Sequence, residues 1–210
     1  MNHSIRCPGL LCMSAACVAT LLLAGCISFP GQQAERQTLY RLDAQLPGTV
    51  SVARRDAVLA ISMPQAQPGA QSAAMAYVQQ AHQVDYYVSS RWADTPARML
   101  EPLLLQALTV GGGFRAVVSN DRTVAADYRL DSEWLRLQQE FGQPPSRMHL
   151  TLRVQLVNLH TRQVVAAQEI DEVEPADSEN AHGGVMAANR AMQRVLGRVV
   201  TFCADNAVAR

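Results

Sequence analysis

The chain has 210 residues, 49% hydrophobic and 17% charged, enough to bury one sizeable core and to form one domain. All 18 basic residues are Arg, balanced by 18 acids, and there is no Lys, which excludes a Walker A loop, a lysine Schiff base and a Ser-Lys dyad. With no basic excess the chain lacks the electrostatic footprint of nucleic-acid binding, and nucleic acid is discarded as a partner.

The first 26 residues, MNHSIRCPGLLCMSAACVATLLLAGC, carry one positive side chain, Arg6, and no acid, followed by an apolar run from about Leu10 to Leu23. This order is that of a secretory signal peptide. The apolar centre is shorter than the roughly 20 residues of a membrane-spanning helix, so cleavage is preferred over a permanent anchor helix. The run ends in Leu22-Leu23-Ala24-Gly25-Cys26, which resembles the lipobox of bacterial lipoproteins. There the cysteine thiol takes a diacylglycerol, small residues let the peptidase approach the backbone, and cleavage between Gly25 and Cys26 exposes an amine that can be acylated. Several acyl chains, at about 0.8 kcal/mol per buried methylene, anchor a protein without spanning the bilayer. Cysteine usage agrees with this: Cys7, Cys12 and Cys17 leave with residues 1–25, Cys26 is consumed by lipid, and Cys203 has no partner in its own chain. Cys203 reads as a buried free thiol, with an intermolecular bridge as the lesser alternative.

Residues 26–37 contain Pro, Gly and several polar residues and read as a lipidated tether spanning at most about 40 Å. The domain then covers residues 38–210. Thr38 to Leu42 is strand-like, and Ala57 to Met63 reads as a buried strand ended by Pro64, with a turn-rich loop after it. Ala74 to Val78 and Val84 to Ser89 suit a hairpin. Thr95-Pro96 starts a helix, with Thr as cap and Pro at the first position. Its apolar positions recur from Met99 to Leu108, Gly111 to Gly113 end it, and Pro102 predicts a kink or short break.

Phe114 to Ser119 is a further strand. From Tyr128 to Trp134 apolar and charged residues alternate, then Leu135 and Leu137 take over the apolar role, which predicts a bulge in a long strand. Met148 to Leu156 alternates strictly, a strand with one buried face. Asn158 to Arg162 turns the chain into a partner strand from Gln163 to about Ile170, so the three segments predict an antiparallel meander. A closing helix runs from about Ala187 to Ala204. Arg190, Arg194 and Arg198 line another of its faces. They read as a solvated face in preference to a contact for anionic lipid or an acidic partner.

Catalytic and metal chemistry find no support in the pattern. His82, His149, His160 and His182 are scattered, with no HxxxH or CxxC spacing, so no metal is expected. Gly111 to Gly113 follows a helix instead of opening one, and there is no GxSxG elbow. Glu169, Asp171, Glu172, Glu174 and Asp177 read as a solvated strand end. The expectation is a protein that is not an enzyme and has no cofactor beyond the covalent lipid on Cys26.

The order of features, namely the lipobox, Tyr40-Arg41-Leu42, the stretch AMAYVQQAHQVDYYVSSRWADTPARMLEPLLLQAL, a Gly turn and Phe114 to Val118, resembles the ABC-type transport auxiliary lipoprotein family, which includes PqiC-like lipoproteins. The resemblance covers nearly the whole mature chain, most distinctively from Trp92 to Leu108. It implies a single compact α/β domain with a central, mostly antiparallel or mixed sheet packed by helices. It also implies a non-catalytic auxiliary component that accompanies an ATPase, a permease and an MCE-domain protein in moving lipids or other hydrophobic molecules between envelope membranes. Homo-oligomerisation is left open. The implied location is the periplasmic face of the outer membrane, and Ile27 after the lipidated cysteine agrees, since Asp there commonly retains lipoproteins at the inner membrane. Tyr40 and Trp92 sit at matching positions; core packing is preferred for both, with contact to the MCE partner as the rival. The alternative function is a structural or assembly lipoprotein of an outer-membrane machine, with no transported lipid.

Overall fold

The structure, a computed structural model, describes residues 36–46, 52–119 and 124–207. The signal peptide, the lipobox and Cys26 lie outside the described residues. Nine strands and two helices follow in order: β1 (Thr38–Tyr40), β2 (Arg55–Ile61), β3 (Gln65–Ala66), β4 (Ala74–Val78), β5 (Asp85–Trp92), α1 (Pro96–Gly111), β6 (Phe114–Ser119), β7 (Tyr128–Glu140), β8 (Arg147–Asn158), β9 (Gln163–Pro175) and α2 (Ala181–Asn206).

β7 organises the sheet. Along one edge it pairs in parallel with three strands in succession: Tyr128 to Leu130 with β2, Glu133 and Trp134 with β3, and Gln138 to Glu140 with β4. The sheet therefore forks. One branch continues from β2 to a parallel β6, the other from β4 through an antiparallel β5 to a parallel β1. The opposite edge of β7 carries the antiparallel meander β7–β8–β9 that the sequence predicts. The expected bulge falls at Leu135, where the register shifts between Trp134 and Arg136; the extra residue moves the inward face from Trp134 to Leu137. The result is the α/β domain with a mixed sheet that the sequence indicates.

Both helices contact the sheet, α2 across β8 and β9 and α1 against α2 and β6. The core holds Trp134, Leu130, Leu150, Leu152, Leu156 and Ile170, all fully buried, against Ala187, Ala188, Ala191, Met192 and Val195 of α2. Three alanines on the packed face let the helix backbone approach the sheet closely, and each buried Leu or Ile contributes about 1.5–3 kcal/mol.

Several boundaries differ from expectation for identifiable reasons. α1 begins as predicted, with Thr95 Oγ1 accepting from the Arg98 N–H at 3.4 Å and Pro96 at the first position, and ends on Gly112 at φ 68°. It runs unbroken through Pro102, because Leu100, Leu103 and Leu104 on either side are buried and offset the one forgone backbone bond. α2 starts six residues before Ala187. Gly183 and Gly184 in its first turn are close-approach positions: a Cβ on Gly183 would strike Ser178, and one on Gly184 would strike the Gln139 side chain. β9 extends to Pro175, beyond the expected end near Ile170, since its acids have partners on α2.

Candidate functional site

The three arginines of α2 form a seam with β9. Arg190 donates from Nε to Glu174 at 2.7 Å and from Nη1 to Asp177 at 2.7 Å; Arg194 donates to Glu172 at 2.8 Å and also bonds Glu174; Arg198 reaches Glu172 at 3.0 Å. Their spacing of four residues on the helix matches alternate inward positions on β9, so two carboxylates serve three guanidinium groups. Burial opposes the charged form of Glu174, yet the hydrogen bonds from Arg190 and Arg194 outweigh it and hold its carboxyl below the usual range. Asp177 is likewise held low by Arg190. The guanidinium groups of Arg190, Arg194 and Arg198 are thus engaged within the chain, and three of the acids read as a solvated strand end, Glu172, Glu174 and Asp177, are their counter-charges.

The outward face of the meander is polar. His149 has Nδ1 2.9 Å from Glu140 and Nε2 2.9 Å from Asp171, with the Arg136 guanidinium against the same ring. Arg153 bridges Glu169 and Glu133 at 2.7 and 3.2 Å. Thr151 donates to Asp171, and this bond, followed by the His149 contact, outweighs burial and lowers that carboxyl's pKa.

Beneath the N-terminus of α2 lies a buried polar knot. Tyr87 donates to Gln139 Oε1 at 3.0 Å, Gln139 Nε2 donates to Ser146 Oγ at 2.9 Å, and Glu179 accepts from the Ser146 N–H at 2.8 Å. Burial, then Tyr77 and Glu179, pushes the Tyr87 phenol up to about 12. Tyr77, Tyr86, Tyr87 and Phe141 line a groove of about 280 Å³ here, with Glu179 and Val88 at its margin. The Tyr77 ring lies 4.8 Å from Tyr87 and 5.9 Å, edge-on, from Phe141.

Of the aromatic residues marked in the sequence, Trp92 is 2% exposed and belongs to the core. Its side chain packs in the core cluster. Tyr40 is half-buried, its ring 6.2 Å from His182 at the start of α2. Sequence reasoning missed the exposed counterparts next door: Leu39 and Val88 on β1 and β5, with Tyr86 close by. Alternation alone marks them as strand residues and does not reveal that the sheet ends there.

The described residues hold no group of three His, Cys, Asp or Glu side chains placed for a metal ion. Cys203, the free cysteine, is buried in α2, which pushes its thiol up to about 12 and keeps it protonated at neutral pH. Among the described residues no helix is long and apolar enough to cross a membrane.

A mixed sheet backed by two helices defines a small α/β domain. Residues 40–200 match the family described as the ABC-type transport auxiliary lipoprotein component, and the chain belongs to that family. No curated protein matches it by sequence. The fold is shared with a crystal structure of a Xanthomonas campestris protein from the DUF330 family, at TM-score 0.74 and 19% identity over 80% of this chain and 96% of that one. It is also shared with an uncharacterized protein, at TM-score 0.64 and 11% identity over 80% and 99% of the two chains. A hypothetical protein from Chlamydia trachomatis is more distant, at TM-score 0.52 and 8% identity over 72% and 98%. At these identities the likeness is one of fold.

Proposed function

We propose that this chain is acylated on Cys26, sits on the periplasmic face of the outer membrane, and serves as a non-catalytic component of an ABC/MCE system moving lipids or other hydrophobic molecules between envelope membranes. The observation that carries the proposal is the match to the auxiliary family over residues 40–200, downstream of Leu22-Leu23-Ala24-Gly25-Cys26. The ATPase, permease and MCE-domain protein supply energy, passage and the bridging element; this domain supplies attachment at one membrane.

Two experiments test this. Metabolic labelling with palmitate should mark the wild-type chain and leave Cys26→Ser unlabelled; label on the variant sinks the lipidation assignment. Crosslinking in intact cells followed by mass spectrometry should recover an MCE-domain protein. Recovery of outer-membrane assembly proteins alone, with no lipid copurifying, would favour the structural alternative.

A further inference from the structure

Val88 and Leu39 are the two most exposed large hydrophobic side chains of the described residues, at 73% and 64%. Both lie at the β1–β5 end of the sheet. Leu39 stands opposite Arg91 in the parallel register, Gln37 Nε2 donates to the Val88 carbonyl at 3.0 Å, and Tyr86, two residues before Val88, is also exposed. Adjacent exposed aliphatics of this kind mark an interaction surface. Arg41 and Arg91 flank them, exposed and without a carboxylate partner among the described residues, whereas Arg190, Arg194 and Arg198 of the seam and Arg129 and Arg153 of the meander are paired. Of the acids on these segments, Asp85 takes the Gln83 amide at 3.0 Å, and Asp43 lies beyond Arg41.

Aliphatic tips, a tyrosine and unpaired arginines form the set that suits a membrane interface: the tips enter the acyl boundary while the phenol and guanidinium groups stay among the headgroups. Chain length adds a second argument. Leu39 follows Cys26 by only thirteen residues, so an anchor there keeps the β1 edge within about 45 Å of the leaflet.

We propose that the β1–β5 edge, through Leu39, Tyr86 and Val88 with Arg41 and Arg91 beside them, rests on the leaflet that holds the anchor and prefers anionic lipid headgroups. This rests on the acylation of Cys26 proposed above. It holds the domain edge-on, with β9, at the far end of the sheet, turned away from the bilayer.

The test uses the acylated mature chain reconstituted into phosphatidylcholine vesicles with or without phosphatidylglycerol. An environment-sensitive thiol dye is placed at Val88→Cys or, as a control, at Val173→Cys on β9; Cys203 is buried and does not compete. The Val88 dye should report an apolar setting, more so with phosphatidylglycerol, while the Val173 dye stays in water. Arg91→Gln should lower the anionic preference roughly fivefold, and high salt should do the same. Leu39→Asp should return the Val88 dye to water. A chain that floats with the vesicles while its Val88 dye stays in water on both compositions overturns the proposal and leaves the anchor intact. Failure to float overturns the anchor and the proposal together.

Discussion

Gly184 on α2 lies directly over the side-chain amide of Gln139 on β7, closer than a Cβ could come. Gln139 cannot yield, since it is buried and held by both Tyr87 and Ser146. Gly184→Ala should therefore destabilise the domain by about 1–3 kcal/mol. A Cβ added at Gly197, on the same helix, would meet nothing within 4 Å, and Gly197→Ala should stabilise by about 0.5–1 kcal/mol. Urea unfolding of the two variants checks the opposite signs; two losses of equal size would count against the Gln139 contact.

The seam predicts a response to acid. Glu174, Asp177 and Asp171 have carboxyls held below their ordinary values in the folded chain. A depressed folded pKa gives stability that is present above the unfolded value, near 4, and is lost as pH falls through the folded value. The melting temperature should thus fall as pH drops below about 4.5. Arg190→Gln should flatten that fall, because it removes the donor that holds Glu174 and Asp177 low. An unchanged pH slope in the variant would show that the seam is not the source.

Trp92→Ala should cost about 3–5 kcal/mol, as expected for a large aromatic leaving a core. Trp92→Phe should recover most of the stability. Calorimetry of both variants separates packing from surface contact, since a contact residue would lose its partner with no change in melting.

The Cys203 thiol, protonated and buried, should resist alkylation at pH 8 in the native chain and react fully in urea. Native labelling at the rate of a free thiol would contradict its placement on the packed face of α2.

Much of this fold is written in local pattern. The strict alternation from Met148 to Leu156 is legible because β8 buries one face, and the Leu135 bulge shows as a change of phase in β7. The Thr95-Pro96 start of α1 is legible because capping is local chemistry. What stayed hidden depends on distant partners. Nothing near β2, β3 or β4 says that all three share one edge of β7. The spacing of Arg190, Arg194 and Arg198 is plain, but its match to Glu172 and Glu174 appears only once β9 and α2 lie side by side. The need for glycine at the start of α2 likewise appears only once Gln139 and Ser178 occupy the space beneath Gly184 and Gly183. The exposed edge of Leu39 and Val88 depends on strand order, which no single segment encodes.

The fork at β7 also sets how the domain bears load. Tension entering upstream of Thr38 meets first the three-residue pairing of β1 with β5, then β4, and then the three-residue contact of β4 with β7. The twelve paired positions between β7 and β8, and the helix seam behind β9, come last in that series. The branch that begins at Thr38 is the compliant one and can yield while the meander and α2 keep their shape.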